Sequence, residues 1–256
     1  SVLSYVGHDP WAEIIRRSLA TEGVQTNWLQ EHPTDPTTAV TVLIDEAGNR
    51  SFLAPSVRTA TKSIDAAFVE QHLFEVQQAQ FFVFGYLGRM PNLEPGLPSL
   101  LPKIRAQGCQ TVADTAETGG DWQQLTKILP SLDVFVPSRA EAERLTNQQD
   151  PEAMIVAFRD AGAPGILGVK LGSHGVILQG SDEKFVRLPA IQPPGPVIDT
   201  TGAGDCFTAG LLAGLWRGWD LEEAGRLGTA AGAFAVTTRG GYAGVPGLGD
   251  LQSILF

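Results

Sequence analysis

Apolar positions follow distinct rhythms along this chain, and each rhythm predicts a different element. Ser1 to Gly7 is a short strand-like run. Asp9-Pro10 then sets a capping carboxylate before a proline at the first helical position, and Ile14, Ile15 and Leu19 supply the buried stripe of a helix ending at Gly23. From Val24 to Pro55 the period falls to two. Ala39 to Ile44 and Arg50 to Ala54 read as strands around a turn at Glu46-Ala47-Gly48-Asn49, a hairpin set apart from the main sheet.

After Ile64, short apolar runs alternate with helix-period segments. Strands are expected at Phe81 to Phe84, Gln110 to Ala113, Val134 to Val136 and Ile166 to Leu171, with helices near Leu97 to Gln107, Trp122 to Leu129, Ala140 to Leu145 and Pro151 to Ala161. Strands this short, apolar on both faces and separated by helices, predict an α/β fold with a doubly wound, mainly parallel sheet flanked by helices. Gly175 to Leu178 and Lys184 to Leu188 follow as a strand pair. The strand-like Pro196 to Ile198 then leads into helices from about Asp205 to Trp216 and Leu221 to Thr237. No repeat, low-complexity tract or dividing linker interrupts this, so the expectation is a single domain over residues 1–256 with a small β lid at 24–55 inside it.

Composition narrows the function. At 256 residues, 43% hydrophobic and 18% charged, the chain can bury a large core and carries no disorder signal. A net charge of -10 leaves no basic surplus for nucleic acid or an anionic membrane, so any phosphate must be held locally. Cys109 and Cys206 do not suggest a disulfide framework, and no apolar stretch approaches the roughly 20 residues of a membrane span. Without a basic, apolar leader either, a cytoplasmic location is expected. His8, His32, His72 and His174 lack metal-ligand spacing.

The string Asp199-Thr200-Thr201-Gly202-Ala203-Gly204-Asp205 is the most informative. Phe207, Leu211 and Leu215 lie four apart on one face of the helix that follows. Gly202, Ala203 and Gly204 leave backbone N–H groups unobstructed at its N-terminus, where free donors and the helix dipole favour an anion. A carboxylate there would repel phosphate. Asp205 is therefore either a plain N-cap or a base that accepts a proton from an alcohol while the amides stabilise a transferring phosphoryl group.

Asp199 to Asp205, continued by Cys206-Phe207-Thr208-Ala209-Gly210, resembles the C-terminal signature of the ribokinase-like (PfkB) carbohydrate kinases. The resemblance implies ATP-dependent phosphorylation of a hydroxyl of a small sugar or sugar derivative. It assigns Asp205 as catalytic base in contact with substrate, and Gly202, Ala203 and Gly204 as the anion hole. Gly168 to Gly175 resembles the strand and turn that border the nucleotide, so Lys170, Gly172 and Gly175 join Thr201, Gly202 and Gly204 as implied ATP contacts. Thr229 stands where many members have Asn beside the adenine. Val136-Pro137-Ser138-Arg139-Ala140-Glu141 resembles a Pro-Asn-x-x-Glu segment, giving Glu141 a water-mediated hold on Mg2+, although Ser138 replaces the usual Asn. Ala235 to Gly241 resembles a segment that binds a monovalent cation in several members. Asp199, Thr201, Ala235 and Gly240 would hold such an ion, K+ for example.

The similarity runs from about Val6 onward. Members of the family usually begin with a strand bearing a substrate-binding Asp and then a Gly-Gly-x-x-x-Asn segment. Neither precedes Gly7, so the N-terminal strand and sugar-binding loop are expected to lie outside this chain. Arg50 and Asp114 remain as substrate candidates, Asp114 because ligands bind beyond the carboxyl ends of parallel strands. A lid often pairs between subunits in this family, so the resemblance allows a homodimer through it. A P-loop phosphotransferase lacks its Gly-x-x-x-x-Gly-Lys-Ser/Thr here, and a Rossmann dehydrogenase lacks an N-terminal Gly-x-Gly-x-x-Gly. A nucleoside kinase of the same fold and a non-catalytic relative that binds sugar or nucleotide stay open.

Overall fold

A computed structural model describes residues 1–44, 50–53, 58–116 and 120–255. The turn expected at Glu46 to Asn49 and the strand end at Ala54 lie outside them. The chain divides into two compact units, Ser1–Glu75 with Arg89–Leu100, and Val76–Gly88 with Leu101–Phe256.

The first unit opens with β1 (Leu3–Val6), α1 (Pro10–Thr21) and β2 (Trp28–Glu31). Asp9 caps α1 as expected, its carboxylate accepting the Ala12 amide at 3.1 Å and the Thr37 amide at 2.8 Å. Ala12, Val6 and Leu29 form a small core with Ile15 and Leu19 against it, but Ile14 is exposed. Adjacent helical residues lie about 100° apart, so one narrow contact does not bury both Ile14 and Ile15. β2 was not expected; it pairs in parallel with β1. β3 (Thr41–Ile44) and β4 (Arg50–Leu53) form the predicted antiparallel hairpin, bonded to no further strand among the described residues. Two short helices, α2 (Ala66–Glu70) and α3 (Leu73–Val76), follow.

The second unit carries the main sheet, with β5 (Phe81–Leu87) followed after α4 (Leu97–Ala106) by β6 (Gln110–Thr115), α5 (Trp122–Ile128), β7 (Val134–Phe135), α6 (Arg139–Thr146), α7 (Pro151–Asp160) and β8 (Ile166–Lys170). β9 (Val176–Gln179), β10 (Phe185–Leu188), α8 (Ala203–Trp216), α9 (Leu221–Ala235) and α10 (Leu248–Leu255) complete it. The strand order is β10-β9-β8-β7-β6-β5, parallel from β5 to β8 and antiparallel from β8 to β10. Both faces are covered. Val134 and Val136 pack with Phe207, Leu211 and Leu212 of α8, whereas Phe135, between them, meets Phe158 of α7 edge-on at 5.1 Å. That alternation is the period-two geometry of a strand buried on both sides.

The run Pro196 to Ile198 forms no strand. Proline cannot donate to a ladder, and the Ile198 and Asp199 amides bond instead to the Val236 carbonyl just beyond α9. Among the described residues, no helix is long and apolar enough to cross a membrane.

Candidate active site

The phosphate-cradle string folds as a tight turn into α8. Gly202, not Asp205, is the N-cap; it has φ +78°, and a Cβ there would collide with the Gly241 carbonyl oxygen. Only glycine fits a left-handed position with a backbone pressed against it. Ala203, Gly204 and Asp205 are the first three helical residues, so the plain-cap alternative for Asp205 does not hold. The first ladder bond of the helix is Cys206 N–H to the Gly202 carbonyl at 2.8 Å. The amides of Gly204 and Asp205 precede it, at the end where backbone donors and dipole favour an anion.

Three adjacent parallel strands deliver their carboxyl ends to this turn. Asp114 is the penultimate residue of β6, Lys170 the last of β8, and Ser138 follows β7, bridging to Lys170. Lys170 Nζ donates to Asp114 Oδ1 at 3.2 Å, both side chains being largely buried. The same ammonium lies 3.3 Å from where a Cβ on Gly204 would stand. Ser138 and Glu141 form a capping box at the start of α6, with Glu141 Oε2 accepting the Ser138 amide at 2.8 Å and hydroxyl at 2.6 Å.

Asp205 is exposed, yet its carboxyl pKa is raised above the ordinary 3.8. Desolvation by the protein packed around it is the main cause. The charge of Asp114 adds to this, Lys170 opposes it, and a hydrogen bond with Asp114 and the charge of Glu141 contribute further. A carboxyl raised in this way binds a proton more strongly than an ordinary aspartate, which suits a general base.

Asp199 ties the turn to the segment after α9: Oδ1 accepts the Thr201 amide at 2.9 Å and Oδ2 the Gly240 amide at 3.3 Å. Ala235 is buried at the end of α9. The four residues implied for a monovalent cation therefore lie on two segments that hydrogen bonds hold together. Cys206, beside Asp205, is buried, and its thiol donates to the Gly241 carbonyl at 3.2 Å. Burial and the Asp205 charge push that thiol's pKa up; Cys109, also buried, is pushed to about 11 by burial and Asp133.

The sequence profile of the pfkB family carbohydrate kinases matches residues 1–247. The chain belongs to this family. An uncharacterized sugar kinase of Archaeoglobus fulgidus is 30% identical to this pfkB kinase over 94% of this chain and 92% of the relative. A fructokinase of Klebsiella pneumoniae is 28% identical over 98% and 84%. The structure of Arabidopsis thaliana ribokinase complexed with ribose and ATP superposes with a TM-score of 0.80 at 22% identity, covering 99% of this chain and 80% of that one. The ribokinase-like α/β fold and carbohydrate kinase membership expected from the sequence are thus borne out.

Of the expected site residues, the fold of this pfkB kinase gathers Gly202, Ala203, Gly204, Asp205, Lys170, Asp114 and Glu141 into one cluster. Gly172 and Gly175 lie in the turn after Lys170. A Cβ on Gly175 would strike the Leu188 carbonyl, which gives this glycine a packing reason to be there. Thr229 is buried within α9, and its hydroxyl donates to the Arg226 carbonyl at 2.8 Å, so it turns into the helix. Arg50 opens β4 in the first unit, and its side chain is not among those described. Sequence reading weighed Lys170 and Asp114 separately and missed their pairing. A lysine ending one predicted strand and an aspartate just beyond another were the available signal.

Proposed function

We propose that this carbohydrate kinase transfers the γ-phosphoryl group of ATP to a hydroxyl of a small sugar or sugar derivative, with Asp205 as general base. The hydroxyl proton passes to the Asp205 carboxylate as the sugar oxygen bonds to phosphorus and the bond to the ADP oxygen breaks. The Gly202 to Gly204 backbone stabilises the charge on the transferring oxygens, and Lys170 neutralises phosphate beside it. The observation that carries this reading is Asp205 in the first turn of α8, with its carboxyl pKa raised, beside an ammonium that overhangs Gly204.

Among the described residues no three carboxylate, histidine or cysteine side chains group closely enough to ligate a metal directly, so a magnesium ion would be held through water and phosphate, with Glu141 behind the water. Glu141 is an oxygen ligand with one oxygen engaged by Ser138, and carboxylates gathered near a phosphate cradle suit a hard cation. When bound, Mg2+ would offset phosphate charge there. Asp199, Thr201, Ala235 and Gly240 are the residues that would hold a monovalent cation. The β3–β4 hairpin is the lid in this reading, and its exposed Val42, Leu43 and Leu53 offer apolar surface for closing over substrate or for pairing two copies.

The deciding experiment assays ribose, fructose, 2-keto-3-deoxygluconate, phosphorylated sugars and nucleosides with ATP, measuring ADP release by wild type and by Asp205→Asn. Turnover of a sugar, lost in the variant while ATP binding persists, is expected. Turnover of nucleosides alone would move the substrate class, and an active Asp205→Asn would remove the base.

A further inference from the structure

The Lys170–Asp114 pair carries more than a phosphate-binding lysine. Lys170 Nζ and Asp114 Oδ1 are 3.2 Å apart, with side chains only 13% and 14% exposed. The ammonium acts on a third group as well: Asp205, whose carboxyl feels the charges of Asp114, Lys170 and Glu141. One cation thus bonds a carboxylate from β6 and offsets the charge of another on α8. An incoming triphosphate competes for it directly, since the ammonium is a compact point charge on a flexible stem that reorients readily. Its position beside Gly204 makes that exchange a short movement.

We infer that Asp114 is a positioning residue: it holds Lys170 beside the phosphate cradle before nucleotide binds, then yields it to the phosphate. This rests on the reading above, in which Lys170 meets phosphate. Two effects follow. Asp114 restrains nucleotide affinity by competing for the ammonium at 3.2 Å, and it sustains turnover because its negative charge keeps Asp205 basic. Asp114 on β6, Lys170 on β8, Glu141 on α6 and the neighbouring Cys206 on α8 are the ionisable groups around that carboxyl.

The test is a double-mutant cycle on the full chain with a non-hydrolysable ATP analogue, measured without sugar. Asp114→Asn should tighten analogue binding several-fold when Lys170 is present and leave it unchanged in a Lys170→Met background. In turnover, Asp114→Asn should lower kcat several-fold and move the acidic limb of the pH profile to lower pH. Equal tightening in both backgrounds would reduce Asp114 to a general negative charge and overturn the proposal, as would an unchanged kcat and pH limb. Should Asp114→Asn fail to fold, a crystal structure of wild type with the analogue decides. Nζ on a phosphate oxygen and beyond about 4 Å from Asp114 is expected, whereas an intact pair overturns the exchange. Wild type that binds no ATP analogue would instead defeat the underlying kinase reading, an outcome distinct from the others.

Discussion

Asp205 and Gly202 divide the labour at the start of α8, and substitutions should separate their roles. Asp205→Asn cannot accept the hydroxyl proton, so turnover should fall by about 10² to 10⁴-fold while ATP binding persists. The same change should not cost stability. The folded carboxyl has a pKa above its unfolded value, so the ionised form opposes folding at pH above the raised pKa, and that penalty disappears below the unfolded value. A Tm for Asp205→Asn equal to or above wild type at neutral pH, with the gap closing as pH falls below the ordinary aspartate range, is the expected melting series. A marked loss of Tm at neutral pH would contradict the raised pKa. Gly202→Ala should do the opposite. A left-handed backbone costs an L-residue about 1–2 kcal/mol before any clash, so Tm should drop by roughly 3 °C or more. Gly204 has no such φ, and its added methyl would meet only the flexible end of Lys170, so Gly204→Ala should fold normally and lose turnover. The placement of Asp205 at a helix start was legible in the sequence because the glycines before it and the four-apart apolar stripe after it are local signals. The Lys170–Asp114 bond was not, because 56 residues separate the partners and only strand pairing brings them together.

Among the elements, α6 offers the cleanest test of how local structure supports the site. Its capping box engages Ser138 and Glu141 with each other, so Ser138→Ala should remove the cap at a cost of about 1 kcal/mol and lower Tm by roughly 2–4 °C. Ser138→Asn retains capping ability and should stay near wild type in thermal melts. Helices with a capping residue and a single apolar stripe, such as α1 and α7, were readable from sequence because both signals are local. β2 was not: Trp28-Leu29-Gln30-Glu31 is short, ends in polar residues and owes its strand form to β1. The error at Pro196 to Ile198 has the converse origin. Apolar character suggested a strand, while the Val236 carbonyl supplied amide partners that no local pattern announces.

At the scale of the molecule, net charge and site charge act together. If, as proposed, this chain of net charge -10 binds a nucleotide triphosphate beside Asp114, Glu141 and Asp205, it needs a divalent cation to offset the charge. Excess EDTA should abolish sugar phosphorylation and added Mg2+ restore it; activity that survives chelation would remove Glu141 from any metal role. The doubly wound sheet was legible because strands buried on both faces repeat through residues 81 to 171, whereas the division into two compact units leaves no compositional mark.

The two cysteines of the chain are both buried, and both thiols are shifted away from the reactive thiolate. Maleimides and disulfide reagents attack thiolates that they can reach, so the native protein should be nearly silent toward them. That silence is a practical asset for spectroscopy. A Leu43→Cys variant would place a single accessible thiol on β3, where the native side chain is exposed. A dye attached there would test whether the hairpin moves without first removing Cys206 from its place beside Asp205. Rapid labelling of the unmodified chain by a colorimetric thiol reagent would show that the background is not dark; a dye signal that responds to sugar but not to buffer would make the hairpin's motion a directly timed event.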